Sequence, residues 1–146
     1  MPRRIPSGEH PVSLDSKGRV VIPVPFREHL KNGLVLTRGL EGGLDVLTRE
    51  DWDKLEERLD GLPLTDPAVR NFIRFYYAPA HKTKLDSQGR VLIPPTLRRF
   101  AGLTDRAVVT GVMDRIEIWD EARFFEHLEK TRETPFVPES LRDIVI

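Results

Sequence analysis

The chain of 146 residues is long enough to form one domain with its own hydrophobic core. It contains no cysteine, which excludes disulfides and thiolate metal sites and fits a reducing compartment. Its 23 basic and 23 acidic side chains balance, so the chain as a whole lacks the net positive charge common among proteins that bind nucleic acid.

The charges are nevertheless unevenly distributed along the chain. Residues 1–40 and 78–115 each carry seven basic and three acidic side chains, whereas residues 41–77 carry five and nine, and residues 116–146 carry four and eight. Helices with acidic solvent faces would explain the acidic segments but not the repeated basic ones. The neutral total can therefore conceal a dipolar molecule with one face suited to phosphates.

The chain begins with a predicted arm, a short strand and a tight turn. Residues 1–9 are rich in Pro, Gly and Arg, and Val12 and Leu14 then alternate with small residues as in a strand. Asp15 to Gly18 form a turn, because Asp hydrogen-bonds its own backbone and Gly supplies the positive φ. No apolar run follows the N-terminal arginines and no stretch reaches the length of a membrane span, so we expect a cytoplasmic protein without a signal peptide.

A second strand, two helices and a hairpin follow the turn. Arg19 opens the strand, and the run at residues 20–22 is apolar on both faces, so we expect it inside a barrel or an interface. Thr48 is expected to cap the longer helix, whose residues Trp52, Leu55 and Leu59 form one apolar stripe. The predicted elements after the strand are a short helix at 26–30, hairpin strands at 34–37 and 44–47, and the longer helix from 48 to 60.

The stretch at residues 14–23 occurs a second time at residues 85–94, with eight of ten positions identical and an offset of 71. Arg27 and Arg98 match at the same offset. Two copies are too few for a solenoid and indicate two halves of one pseudo-twofold body. Each half has the order β-β-α-β-β-α, so the predicted fold class is α+β and mainly β.

The predicted organisation is a first half at residues 10–62, a helical connector at 63–80, a second half at 81–132 and a tail at 133–146. Thr65 or Asp66 caps the connector, and an apolar stripe through Tyr76 indicates that it is buried between the halves or also packs on another subunit. Asp120 is expected to cap the last helix of the second half. The sequence leaves open whether the tail docks on a neighbour.

The repeated turns allow a structural and a DNA-binding interpretation. In the first, Asp15 pairs with Arg19, and Asp86 with Arg90, to fix the turns or the seam between the halves. In the second, a two-stranded ribbon enters the major groove, because arginine recognises guanine edges and lysine binds phosphate. The two interpretations are compatible, since an arginine held by aspartate is preorganised to meet a phosphate. The residues chosen for DNA contact are Lys17, Arg19 and Arg90, then Arg4, Lys82 and Lys84, with Gly18 and Gly89 as the turn glycines.

Catalysis and metal binding are weaker interpretations of the same residues. Two Asp-Ser-x-Gly turns invite comparison with the carboxylate dyad of aspartic proteases, but Lys17 and Gln88 stand where the protease signature has glycine, and a nearby arginine would keep each Asp ionised. His10 and His81 match by symmetry, but no carboxylate cluster accompanies them at ligand spacing. We therefore expect no catalytic residues, no metal and no cofactor, with an aspartic-dyad hydrolase as the remote alternative.

The duplicated motif resembles the MraZ family, within the wider AbrB/SpoVT-like group. The likeness is carried by Asp15…Arg19 and Asp86…Arg90, each followed by a Val-x-Ile-Pro strand end at residues 20–23 and 91–94. It covers nearly the whole chain apart from the first few residues and the tail. The duplicated motif is more specific than a single copy, which is widespread.

The resemblance implies a swapped-hairpin, double-split β-barrel and assembly into a homo-oligomeric ring. It implies transcriptional regulation, typically repression of a division and cell-wall gene cluster, through double-stranded DNA boxes repeated upstream of it, in a nucleoid-associated protein with no small-molecule substrate. Gln88 replaces the basic residue found at Lys17, so the first turn is expected to carry more of the DNA contact. An alternative within the same group is a scaffold whose main partner is another protein, as in antitoxins.

Overall fold

The computed structural model describes residues 4–132 and 137–145 and confirms the mixed α+β class, with a six-stranded antiparallel sheet and helices. The strands are β1 (Ile5–Ser13), β2 (Arg19–Val21), β3 (Leu34–Arg38), β4 (Leu44–Thr48), β5 (His81–Thr83), β6 (Arg90–Leu92), β7 (Arg106–Met113) and β8 (Ile116–Asp120). The helices are α1 (Val24–Arg27, continued as a 3-10 turn), α2 (Arg49–Asp60), α3 (Pro67–Phe72, continued as a π-helical turn), α4 (Pro95–Ala101), α5 (Glu121–Thr131) and α6 (Arg142–Val145, preceded by a 3-10 turn at Glu139–Leu141).

The two sheets join strands from the two ends of the chain. The larger sheet is antiparallel in the order β1-β7-β8-β4-β3-β5, so β1 pairs with β7 and β5 pairs with β3. The smaller sheet is a ribbon of β2 and β6 in which Val20 lies opposite Val91. The first strand of each sequence repeat therefore pairs with the third strand of the other. The swapped-hairpin, double-split barrel remains a prediction.

Strand β1 is longer than its sequence indicates. It begins at Ile5 and pairs with β7 as far as Ser13, with an irregularity between Ile5 and Gly8. The expectation that residues 5–9 belong to an arm was therefore wrong, because a partner about a hundred residues away supplies the ladder. Prolines within β1 are tolerated because it is an edge strand of the sheet. Residues 1–3 of the predicted arm lie outside the described residues.

The main core lies between the ribbon, α1, α4 and the large sheet. It includes four pairs of residues that correspond in the two repeats at the offset of 71. The pairs are Val20 with Val91, Ile22 with Ile93, Phe26 with Leu97 and Leu30 with Ala101. Only one face of the ribbon joins this core: Val21 is 43% exposed and Leu92 is 50% exposed. The single chain therefore leaves the other face of β2 exposed, and the expectation that this strand lies inside a barrel or an interface stays a prediction.

The connector packs mainly on the first repeat, and its Phe75 also contacts Phe100 of the second repeat, with ring centroids 5.7 Å apart. Asp66 caps α3 by accepting the Ala68 N–H at 2.9 Å. Tyr76 is buried beside Trp52, whereas Phe72 and Tyr77 remain 37% and 41% exposed. The caps predicted for α2 and α5 are present, since Thr48 and Asp120 each accept a backbone N–H from three residues on, at 3.1 Å.

A buried polar cluster ties the connector to the β7–β8 loop. One carboxylate oxygen of Asp45 accepts the Tyr76 hydroxyl at 2.7 Å, and the other lies 3.3 Å from Nε of Arg115. Arg115 also pairs with Glu117 at 2.8 Å. Removal from water raises the pKa of Asp45 to about 6. Because every charge in the cluster has a partner, the connector and the second repeat are held in one arrangement.

The close approach of β1 to β7 gives a test of the exchanged strand pairing. A Cβ added at Gly111 would overlap the carbonyl oxygen of Pro6. We expect Gly111→Ala to lower the free energy of unfolding by about 1–3 kcal/mol, as overpacking does. The matched control is Gly61→Ala, where a Cβ has room and φ is −86°; it should change stability by less than about 1 kcal/mol. Urea denaturation measures both, and equal effects would contradict the pairing of β1 with β7.

Candidate nucleic-acid interface

The first repeated turn is organised by one carboxylate. Oδ1 of Asp15 accepts the backbone N–H groups of Lys17 and Arg19, both at 2.9 Å. Oδ2 accepts Nε–H of Arg19 at 2.7 Å. The Asp15 carbonyl accepts the Gly18 N–H at 3.0 Å, and Gly18 has a φ of +83°, which favours glycine. A single side chain thus fixes the backbone of the turn and the direction of its arginine.

The second turn repeats this geometry. Oδ1 of Asp86 accepts the N–H groups of Gln88 and Arg90 at 2.9 and 2.8 Å, and Oδ2 accepts Nε–H of Arg90 at 2.8 Å. Gly89 has a φ of +75°. The two turns differ chemically only where Lys17 is replaced by Gln88.

Both carboxylates are held in their charged form. Hydrogen bonds from the backbone N–H of Arg19, and then from its side chain, lower the pKa of Asp15 to about 2. The same bonds from Arg90 lower the pKa of Asp86. Carboxylates that share a proton, as in an aspartic-protease dyad, have one pKa raised. The geometry here has the opposite effect, since each Asp is paired with its own arginine.

The two arginines lie on one solvent-facing side of the ribbon. Because Val20 and Val91 are buried, strand alternation places Arg19, Arg90 and their neighbours on the other face. The register makes Arg19 and Arg90 diagonal neighbours, with Cα atoms roughly 7–8 Å apart. Their side chains are 28% and 29% exposed. Among the described residues, only Nε of each guanidinium has a protein acceptor, so the terminal nitrogens remain available.

Each turn is supported by the other repeat. The Ile22 N–H donates to the Gly89 carbonyl at 2.8 Å, and the Ile93 N–H donates to the Gly18 carbonyl at 3.0 Å. The guanidinium of Arg98 lies so close to Gly18 that a Cβ there would overlap it, and a Cβ at Gly89 would overlap the guanidinium of Arg27. Neither turn could therefore keep its position without the other half of the chain.

Arg27 and Arg98 are functional candidates that the sequence-based choice of residues missed. Both are half-buried, and Nε of Arg27 donates to the Ile22 carbonyl at 2.7 Å. In the sequence they stood out only because they occupy matching positions of the two repeats, 71 residues apart. That match does not reveal that each contacts the turn of the other repeat. With these two, from α1 and α4, five cations lie on or against the ribbon and its turns, beside the two aspartates: Lys17, Arg19, Arg27, Arg90 and Arg98.

The remaining cations chosen from the sequence are more scattered. Lys17 is exposed at the first turn, and Lys84 is exposed two residues before Asp86. Lys82 lies on β5, 3.7 Å from Glu56 of α2. Arg4 precedes β1 and is separated from the first turn by the length of that strand, roughly 30 Å. The structure therefore does not bring Arg4 to the ribbon.

The metal interpretation gains no support from the fold. His10 and His81 lie on β1 and β5, the two edge strands of the large sheet. Across residues 4–132 and 137–145, no three His, Cys, Asp or Glu side chains are grouped so that they could hold a metal ion. Over the same ranges, no helix is both long enough and apolar enough to cross a bilayer.

Comparison with known proteins gives matches over nearly the whole chain. The family model described as "MraZ protein, putative antitoxin-like" matches twice, at residues 5–75 and 76–145. A protein of Thermus thermophilus named transcriptional regulator MraZ is 51% identical over 143 residues, covering 97% of this chain and 99% of the relative. Proteins of the same name from Deinococcus radiodurans and Clostridium acetobutylicum are 45% and 39% identical, covering 97% and 95% of this chain and 99% and 98% of the relatives.

The lowered pKa of Asp15 predicts how acid affects the first turn. Because its pKa is lower in the folded chain, ionised Asp15 stabilises the fold above about pH 4, its ordinary range, and the contribution is lost as the pH falls towards about 2. Asp15→Asn removes this dependence, so its stability deficit relative to wild type should shrink between about pH 4 and 2. Urea denaturation across that range measures the deficit.

The control for this prediction is Asp53→Asn, which removes an ion pair of the same spacing, with Arg49 on α2. In the described chain Asp53 accepts only the Arg49 side chain and no backbone N–H. Its deficit at pH 7 should be smaller than that of Asp15→Asn. A deficit for Asp15→Asn that stays constant down to pH 2 would show that the carboxylate does not stabilise the turn through its charge.

Proposed function

We propose, on the premise that this chain belongs to the MraZ family, that it is a transcriptional regulator that binds double-stranded DNA through the ribbon and its two turns. The relatives at 45–51% identity bear the name transcriptional regulator, which supports the general function. The observation that carries the DNA contact is the position of Arg19 and Arg90 on one exposed ribbon face, each held by an aspartate.

The ribbon has suitable dimensions and chemistry for the major groove. That groove is about 12 Å wide and admits a two-stranded β-ribbon. Because each aspartate engages Nε, the terminal nitrogens of Arg19 and Arg90 are left for an outside acceptor, such as a guanine edge or a phosphate. Lys17 adds a point charge beside the first turn, whereas Gln88 adds none to the second. The first turn therefore carries more of the proposed contact.

Assembly would compensate for the few contacts that one chain offers. In this proposal the subunits form a ring, and several ribbons bind boxes repeated upstream of a division and cell-wall gene cluster, which the protein represses. Linking the binding events raises avidity through effective concentration without any new contact. The protein would act in the cytoplasm at the nucleoid, without cofactor, catalysis or small-molecule substrate.

Arg19→Ala tests the contact directly. We expect a loss of affinity of roughly 5- to 150-fold for DNA upstream of the protein's own gene, because a bidentate arginine contact contributes roughly 1–3 kcal/mol. The matched control is Arg49→Ala, since Arg49 is also paired through Nε with an aspartate four residues away but lies on α2. Mobility shifts measure binding, while circular dichroism and light scattering verify fold and assembly. Normal binding by a folded Arg19→Ala variant would exclude the ribbon as the DNA-binding element.

The single difference between the turns gives a reciprocal pair of variants. Lys17→Gln makes the first turn like the second, and Gln88→Lys makes the second like the first. Each phosphate neutralised changes the slope of log affinity against log salt by about 0.9. We expect Lys17→Gln to reduce that slope by about one and Gln88→Lys to increase it by up to the same amount. No change in either variant would show that the turns lie away from the DNA.

A protein-interaction scaffold of antitoxin type is the second candidate, favoured by the antitoxin-like description of the matching family. Deletion of residues 134–146 distinguishes the two candidates. The measurement is the affinity of the deletion variant for DNA that carries a single box, where avidity plays no part. The regulator proposal predicts retained affinity. A folded deletion variant that no longer binds such DNA would instead assign the binding determinant to the tail.

A further inference from the structure

The tail repeats the connector. At an offset of 72, residues 69–73 of the connector, Val-Arg-Asn-Phe-Ile, return as residues 141–145, Leu-Arg-Asp-Ile-Val. Pro63 likewise returns as Pro135. The helical segments also begin at matching positions, since α3 starts at Pro67 and the 3-10 turn before α6 starts at Glu139. The two segments matched by the family model each end within such a helix, at residues 75 and 145. Each repeat therefore includes a terminal helix.

In the first repeat, the terminal helix has a docking surface. Phe72 and Tyr76 line a cavity of about 780 Å³ together with the end of β4 and one face of α2. Tyr76 stacks on both Trp52 and Phe72, with ring centroids 6.1 and 5.4 Å apart. Aromatic side chains from the connector thus pack against α2 and border this cavity.

The second repeat has the same surface. A cavity of about 230 Å³ lies at the end of β8 and along α5, and Glu41 and Gly42 of the β3–β4 loop line one side of it. Every second-repeat residue that lines it is the counterpart, at the offset of 72, of a residue lining the larger cavity. The pairs are Leu47 with Trp119, Asp51 with Arg123, Lys54 with Glu126, Leu55 with His127 and Arg58 with Lys130.

The second surface is uncovered in the single chain. Ile144 is the counterpart of Phe72, but it does not line the smaller cavity and is 80% exposed, and Leu141 is 41% exposed. On α5, the cavity-lining side chain of His127 is 33% exposed. The C-terminal helix with its exposed Leu141 and Ile144, and the α5 surface that corresponds to the first docking surface, are therefore both left exposed to water. Burial of the apolar side chains among them would be favourable.

We infer that this surface on α5 receives the C-terminal helix, residues 139–145, of a second copy of the chain. The internal repeat identifies the kind of helix that fits, and the chain's own helix does not occupy the site. A helix of one copy on α5 of the next is a head-to-tail contact, which closes into a ring when the rotation allows. The inference rests on the assembly proposed above and names the subunit contact within it.

The chemistry of the two surfaces is complementary. Trp119 and His127 form the floor of the smaller cavity, with ring centroids 5.1 Å apart and Nε2 of His127 3.6 Å from the Glu41 carboxylate. Ile144 would pack on the two rings. Charges of both signs line the rim at Glu126 and Lys130. The incoming helix also carries both signs, including Arg142, so rim pairs can form without an excess of like charge.

Disulfide trapping tests the contact cleanly because the chain has no cysteine. One protein carries His127→Cys and another carries Ile144→Cys, and the two are mixed and oxidised. We expect a covalent heterodimer on a non-reducing gel, and a ladder of linked chains when both substitutions are in one chain. The control replaces His127→Cys with Glu129→Cys, which is 71% exposed two residues along α5 and faces away. It should form at most a tenth as much heterodimer.

Light scattering of the wild-type protein separates the possible failures. A monomeric wild type would overturn the proposed assembly, whatever the cysteine variants do. An assembled wild type whose cysteine pair does not link, or links only within one chain, would overturn the inference and leave the assembly standing. As a second measurement, Ile144→Asp should reduce the assembled mass while leaving the circular dichroism spectrum and single-box DNA binding unchanged. An unchanged mass would also overturn the inference.

Discussion

The structure of the candidate site depends on a carboxylate that bonds backbone and side chain at once. Asp15 accepts two N–H groups of its own turn and, through its second oxygen, the guanidinium of Arg19. Asp86 does the same for Arg90. The bonds hold each arginine in one orientation, so little of its conformational entropy remains to be lost on binding. Because both carboxylates stay ionised, this preorganisation persists over the physiological pH range.

The pairing of strands β2 and β6 places the two Asp-x-x-x-Arg turns on one ribbon, so that their arginines form one surface. Strands β2 and β6 place Arg19 and Arg90 on a common face, and each turn bonds a residue of the other repeat. The guanidiniums of Arg27 and Arg98 lie against the glycine of the opposite turn. An overall neutral chain thereby places five cations around the β2–β6 ribbon, where the two repeats meet. The acidic helices α2 and α5 lie outside this ribbon. The arrangement explains how a chain with no net charge can present a locally positive surface.

Local signals in the sequence were sufficient for the turns, the helix caps and the order of elements. Asp15 and Gly18 specify their turn through neighbours four residues away or fewer, and Thr48 caps α2 in the same way. The start of β1 could not be predicted, because its prolines argue against a strand and only pairing with β7 overrides them. The contact of Arg98 with Gly18 was missed for the same reason, since 80 residues separate the two positions.

The pairing of β1 with β7 also has a kinetic consequence. Ser13 and Arg106 are hydrogen-bonded across 93 positions, so the large sheet is built mainly from contacts distant in the chain. High contact order slows folding, because the entropy of closing long loops is lost before the contacts form. During synthesis, β1 lacks its partner until most of the chain has left the ribosome. In that interval the unpaired backbone of β1 is exposed to other chains, and aggregation competes most strongly with folding.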